Sequence, residues 1–188
     1  MFDDLLAANR DYVDSFGLAG LASRAAKGLC VVTCMDTRID PLRMLGLEPG
    51  DAKILRNAGA RVTDDVLRTL VLAVHLLDVN RVMVVAHTDC RMTKVTDEQV
   101  HEELLGRGLD TRSLDFHTVH DQLEVLRGDV QRIRSWPYLP DDLAVAGCIY
   151  DVATGLVDVV VPADDAKSVS SLPPERAQMY GLKALRVM

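Results

Sequence analysis

Three short and almost entirely apolar runs constrain the fold of this chain more than any other feature. They occupy residues 28–34, 52–56 and 81–86. Runs of this length that are rich in Val, Ile and Leu are typical of strands covered on both faces. A short helical turn at 40–45 and a longer apolar helical pattern at 63–78 separate them. Strands that alternate with helices predict an α/β fold with a mostly parallel central sheet flanked by helices.

The two ends of the chain add further helices and strands to this fold. Residues Phe2 to Phe16 have the apolar spacing of an acidic amphipathic helix, which must pack its apolar side on something. A long helix is predicted over 114–134, and a hairpin follows it, with strands at 143–152 and 156–161 around the turn Thr154-Gly155. The hairpin adds an antiparallel edge strand to the sheet.

The bulk properties predict one globular domain. The chain has 188 residues, of which 48% are hydrophobic and 26% charged, and no segment is long and apolar enough to span a bilayer. We expect a single domain over residues 1–188, with a helical arm (1–26) and an α/β core (27–188), whereas the tail at 168–188 has no regular pattern. The net charge of -7 argues against nucleic acid as a partner and favours a small molecule. The acidic N-terminus lacks the basic start of a secretory signal, which predicts a soluble, cytoplasmic protein that does not bind membranes.

Side chains of the types that bind metals follow two of the predicted strands. The first strand ends in Cys34-Met35-Asp36-Thr37-Arg38 and the third in His87-Thr88-Asp89-Cys90. In α/β sheets, ligands gather beyond the carboxyl ends of the strands, where these fragments meet. Two thiolates and one imidazole with an open fourth position form a catalytic type of zinc site, since structural sites usually close with four protein ligands. We therefore predict that Cys34, His87 and Cys90 bind Zn²⁺.

Simpler interpretations exist for each of these residues. Cys34 and Cys90 also fit ordinary buried thiols, and His87 fits a packed core histidine. Cys30 lies four strand residues before Cys34, about 13 Å away at about 3.3 Å per residue, which is too far to share one ion. We assign Cys30 and Cys148, which lies within an apolar strand, to the core.

The two fragments, together with Arg56-Asn57-Ala58-Gly59, resemble the β-class carbonic anhydrases, and most of all their short bacterial branch. The resemblance covers nearly the whole chain, from the first helix to the hairpin. It implies that Asp36 and Arg38 are the catalytic dyad and that the loop at Gly59 approaches the bound substrate. It also implies an N-terminal arm that embraces a second copy, so that the protein is a homodimer or a dimer of dimers.

The activity implied by this resemblance is the reversible hydration of CO₂ to bicarbonate. Zinc lowers the pKa of a bound water, but two thiolates offset the charge of the ion, so we expect activity to rise above about pH 8. Asp36 can orient that water if Arg38 holds it away from the metal, and it closes the site if it becomes a ligand itself. Without the neighbouring Cys34, Asp36 and Arg38 would be read as a plain surface ion pair.

Two other functions remain open from the sequence. The same branch includes enzymes that hydrolyse carbonyl sulfide or carbon disulfide, and a non-catalytic zinc-binding dimer closed by Asp36 is a further alternative. The sequence departs from the family at Arg91, where glycine usually follows the second cysteine ligand. We expect the Arg91 side chain to lean toward the mouth of the pocket and to affect anion binding or substrate choice.

Overall fold

A computed structural model of the chain describes residues 1–163. Its helices and strands, in chain order, are α1 (Asp3–Asp14), β1 (Leu29–Cys34), α2 (Pro41–Met44), β2 (Ala52–Asn57), α3 (Asp64–Leu76), β3 (Arg81–His87), α4 (Asp97–Leu105), α5 (Gln122–Arg134), β4 (Ala144–Tyr150) and β5 (Val157–Val161). Short 3₁₀ turns cover Ala58–Ala60 and Arg91–Thr93. No helix within residues 1–163 is long and apolar enough to cross a membrane.

The five strands form one sheet in the order β2-β1-β3-β4-β5. All neighbours are parallel except β4 and β5, which form the antiparallel hairpin. The register aligns Cys34 with Asn57 on one side and Thr33 with Val85 on the other. The carboxyl ends of β1, β2 and β3 therefore meet at one edge of the sheet. The predicted fold class is confirmed, including the antiparallel edge strand.

The sheet is buried on both faces, as its continuous apolar runs predict. One face packs against α3 and α5 in the larger core, and its buried residues include Val32, Val84, Leu67, Leu126 and Ile149. The other face is covered by α2 and the residues that follow it, around Val31, Val85 and Cys148. Cys30 and Cys148 are both fully buried, in agreement with their assignment to the core.

The region between β3 and α5 differs from the prediction of one helix over 114–134. The helix α5 begins at Gln122, because the Asp121 side chain accepts hydrogen bonds from the amides of Leu123 and Glu124 and caps it there. A separate helix, α4, was not predicted and starts with a capping box between Thr96 and Gln99. The prediction of helix over 114–121 was therefore wrong.

The arm helix α1 is present but has no buried residue. The large apolar side chains of the helix and of the residues that flank it are all exposed, namely Leu5, Leu6, Tyr12 and Val13 within it, Phe2 before it and Phe16 after it. The predicted arm therefore exists, but its apolar side chains are not packed on this chain. The tail at 168–188 lies outside the described residues.

Candidate metal centre and active site

The side chains of Cys34, His87 and Cys90 converge at the carboxyl edge of the sheet. Cys34 and His87 end neighbouring strands β1 and β3, and Cys90 follows β3 after a tight loop in which Asp89 has φ +56°. One ligand atom from each of the three lies within 4.8 Å of the others. Within residues 1–163 this is the only group of three or more His, Cys, Asp or Glu side chains spaced for one metal ion.

His87 is oriented as a metal-binding imidazole would be. Its Nδ1–H donates to the carbonyl oxygen of Thr88 at 2.8 Å, and because a carbonyl only accepts, the lone pair is left on Nε2. The side chain is buried, and Nε2 has no hydrogen-bond partner among the residues that the structure describes. A buried polar atom without a partner is rare and costly. A metal ion in this position would give His87 Nε2 a partner, so the residues present fit a bound metal ion.

The two cysteines are hydrogen-bonded to each other. Donation from the Cys90 thiol lowers the pKa of Cys34 far below its usual range, and the Gly59 amide acts in the same direction against burial. The same hydrogen bond together with burial raises the pKa of Cys90. The arrangement therefore favours the thiolate form of Cys34, which is the form that binds metals.

Asp36 and Arg38 form a bidentate ion pair beside this cluster. Arg38 Nε donates to Asp36 Oδ1 at 2.9 Å, and Nη2 donates to Oδ2 at 2.8 Å. These hydrogen bonds hold the pKa of Asp36 well below its ordinary value. Asp36 Oδ2 lies 3.9 Å from His87 Nε2, so the carboxylate faces the cluster while it is bound to Arg38.

Asp89 is a second acceptor for Arg38, a contact that the sequence analysis did not identify. Arg38 Nη1 donates to Asp89 Oδ2 at 2.8 Å, and Lys94 binds the other carboxylate oxygen. Lys94 and Arg38 together lower the pKa of Asp89 to about 2. On the other side, Arg56 donates to the main-chain carbonyls of Cys34 and Asp36, at 3.0 and 2.6 Å. The segment that carries Asp36 and Arg38 is thus held by Arg56 of β2 and by Asp89 in the loop after β3.

Gly59 lies in a turn that only a few residue types accept. It has φ +81°, and the next residue, Ala60, is also left-handed at φ +59°. The Gly59 amide donates to Cys34 Sγ at 3.4 Å. The Asn57 side chain closes the turn, since it donates to the carbonyl of Arg61 at 2.7 Å and accepts from its amide at 2.8 Å.

A narrow cavity lies behind Gly59, His87 and Cys90. Its walls include apolar side chains from the core and several polar ones, among them Arg61, Gln122 and Asp129, which the sequence analysis did not single out. Gln122 also donates to the main-chain carbonyl of His87 at 2.8 Å. Nothing in the local sequence marks these three residues, because they reach the site from distant elements. Arg91 is exposed and is not among the lining residues, so the expected lean toward the pocket is not observed.

Comparisons with known proteins agree with this arrangement. The family model described as carbonic anhydrase matches residues 29–157. "Beta-carbonic anhydrase 1" of Mycobacterium tuberculosis is 35% identical over 160 residues, which cover 85% of this chain and 98% of that protein. "Carbon disulfide hydrolase" of Acidianus sp. is 31% identical, over 77% of this chain and 86% of that protein.

A solved structure leads to the same family. The crystal structure of carbonic anhydrase from Streptococcus mutans superposes with a TM-score of 0.80 at 41% identity, and the match covers 85% of this chain and 96% of that one. The family model spans all of the sheet up to the start of β5, including both fragments of the cluster. On this evidence the chain belongs to the β-carbonic anhydrase family.

Proposed function

We propose that this protein is a zinc enzyme that catalyses the reversible hydration of CO₂ to bicarbonate and a proton. The observation that carries the proposal is the cluster of Cys34, His87 and Cys90 with a carboxylate beside it that is bound to Arg38. Two thiol ligands and one imidazole suit zinc, and they leave a position for water or substrate. The similar proteins from Mycobacterium tuberculosis and Streptococcus mutans are named as carbonic anhydrases, which supports CO₂ hydration.

In this proposal Cys34, His87 and Cys90 hold the zinc ion. When bound, zinc supplies a Lewis acid that makes water nucleophilic near neutral pH. The hydrogen bond from His87 Nδ1 to Thr88 keeps the ring in the tautomer whose Nε2 accepts a metal. The Gly59 amide, which donates to Cys34 Sγ, stabilises the thiolate form of that ligand.

Asp36 acts in this proposal as an ionised hydrogen-bond acceptor. Because the pKa of Asp36 is far below neutrality, the carboxylate orients a water through a lone pair rather than storing its proton. Arg38 holds both carboxylate oxygens and keeps Asp36 from becoming a ligand. This arrangement favours catalysis over a non-catalytic dimer closed by Asp36. We further propose that the Gly59 turn, where the backbone is close to Cys34, contacts the substrate.

Hydrolysis of carbonyl sulfide or carbon disulfide is the second candidate. The observation in its favour is the relative named carbon disulfide hydrolase, at 31% identity. Arg61, Gln122 and Asp129 in the cavity wall hydrogen-bond to other protein groups, so their polarity does not favour either substrate.

We also propose that the protein is a cytoplasmic homodimer, or a dimer of dimers, in which α1 packs on a second copy. The support is the exposed apolar side of α1, which includes Leu5, Leu6 and Val13. The four free cysteines suit a reducing compartment. Sedimentation of the full chain beside a variant lacking residues 1–16 tests the assembly. The same number of subunits in both proteins would contradict the role of α1.

The activity is tested by measuring zinc content together with CO₂ hydration by stopped flow from pH 6.5 to 9.5. We expect about one zinc per chain and turnover that rises above about pH 8. Release of sulfide from carbon disulfide is measured on the same preparation. A zinc-loaded protein that does not accelerate CO₂ hydration at any pH would contradict the proposal, and sulfide release by that protein would favour the second candidate.

A further inference from the structure

The turn at Gly59 adopts a backbone conformation that needs support from elsewhere in the fold. Gly59 and Ala60 are consecutive left-handed residues, and Ala60 is a buried residue with a side chain, for which this conformation is rare. Asn57 ties the turn to the main chain of Arg61. The position of the Gly59 amide against Cys34 therefore depends on where Arg61 is held.

The Arg61 side chain is anchored to two elements beyond the sheet. Its Nε and Nη2 donate to the two carboxylate oxygens of Asp129 in α5, at 2.8 and 3.4 Å. Its Nη1 donates to the main-chain carbonyl of His117 at 2.9 Å. His117 is itself left-handed, with φ +56°. One guanidinium thus connects the Gly59 turn, α5 and the loop that precedes it.

Burial distinguishes this ion pair from an ordinary surface pair. The side chains of Arg61 and Asp129 are 20% and 7% exposed, whereas those of Arg68 and Asp65 in α3 are 66% and 76% exposed. A buried bidentate pair has a fixed geometry, which an exposed pair lacks. Both Arg61 and Asp129 also line the cavity beside His87 and Cys90.

From these contacts we infer that Arg61 and Asp129 are positioning residues for the reaction, which hold the Gly59 turn so that its amide faces Cys34. Their donors and acceptors are directed at each other and at His117, and they act on the site through the turn. The inference rests on the proposed function for its kinetic consequence. Its structural consequence, a fixed Gly59 amide, does not depend on which substrate is used.

The experiment compares Arg61→Lys and Asp129→Asn with Arg68→Lys and Asp65→Asn as matched controls. Lysine keeps the charge of Arg61 but cannot form the two-oxygen contact, and asparagine keeps the shape of Asp129 without its charge. Hydrogen exchange at the Gly59 amide is followed by NMR after ¹⁵N-glycine labelling, with the amide of the buried Gly147 in β4 as an internal reference. Zinc content, kcat and KM are measured on the same proteins.

We expect the Arg61 and Asp129 variants to retain zinc, to exchange the Gly59 amide at least about tenfold faster than the wild type, and to lose about tenfold in kcat/KM. Exchange at Gly147 should stay unchanged, and the controls should match the wild type in every measurement. If the Gly59 amide and kcat/KM are unaffected in the Arg61 and Asp129 variants, the positioning role is refuted.

A second variant covers the case in which removal of one partner prevents folding, because a lone buried charge is strongly destabilising. Arg61→Met with Asp129→Leu replaces the pair by apolar side chains, which a core usually tolerates. This double variant should fold, and its Gly59 amide should exchange as fast as in the single variants. If the Gly59 amide of the double variant exchanges as slowly as in the wild type and kcat/KM is unchanged, the inference is overturned. If the wild type fails to hydrate CO₂, the proposed function fails, while the amide exchange still decides the role of Arg61.

Discussion

Substitution of Gly59 by alanine separates the stability of the fold from the geometry of the site. At φ +81° an L-residue costs about 1–2 kcal/mol relative to glycine. The added Cβ would lie 3.3 Å from Met92 Cγ and 3.4 Å from Met92 Cβ. Methionine is unbranched and moves readily, so this contact adds little to the backbone cost. We expect a destabilisation of about 1–2 kcal/mol, or a fall of about 2–8 °C in Tm for a chain of this size.

Gly155→Ala is the matched control for this substitution. Gly155 has φ +78°, and a Cβ there would meet no heavy atom within 4 Å. Differential scanning calorimetry should give a similar loss of Tm for both variants. Only Gly59→Ala should lower kcat/KM for CO₂ hydration, at least about tenfold, because its methyl group disturbs the turn whose amide contacts Cys34. Equal activity in the two variants, or an unchanged Tm for Gly59→Ala, would refute this reasoning.

Three further substitutions test the metal ligands, the dyad and the buried thiols. Cys90→Ser should leave less than one zinc per chain by elemental analysis, whereas Cys148→Ala should keep a full equivalent; a full equivalent in Cys90→Ser would contradict the ligand assignment. Arg38→Ala should lower CO₂ turnover about ten- to a hundredfold, because Asp36 loses its bidentate partner, and wild-type turnover throughout the alkaline range would argue against the dyad. Burial raises the pKa of both Cys30 and Cys148 to about 12 from 9.0, so their stabilisation is complete below pH 9 and is lost as the pH rises toward 12. Urea unfolding in a reductant should show this alkaline loss, with a smaller slope in Cys148→Ala, and identical slopes would count against it.

Most of the sheet could be predicted because its strands are buried on both faces. The runs predicted at 28–34 and 81–86 correspond within one residue at either end to β1 and β3. Continuous apolar runs of this kind indicate buried strands from the local sequence alone. The cluster was also predictable, since Cys34, His87 and Cys90 lie in two compact fragments at strand ends. Their closeness follows from the parallel register.

The segment between β3 and α5 was not predicted correctly because tertiary hydrogen bonds determine it. The Asp97 carboxylate at the start of α4 accepts from the amides of Phe116 and Thr118, at 2.7 and 3.0 Å. It also accepts from the Thr118 hydroxyl at 2.5 Å. These contacts hold residues 114–121 as a loop, although their local sequence was read as the start of a helix. The contacts of Arg38 with Asp89 and of Arg61 with Asp129 were missed for the same reason.

The hydrogen bond between Cys90 and Cys34 has a consequence for the number of protons that metal uptake releases. This hydrogen bond lowers the pKa of Cys34 and raises that of Cys90, so the two thiols do not ionise alike. Zinc binding should therefore release fewer than two protons per chain near neutral pH, where a pair of ordinary thiols would release two. Calorimetric titration in two buffers of different ionisation enthalpy counts the released protons. The fold thus favours part of the deprotonation that zinc binding requires before the metal is bound.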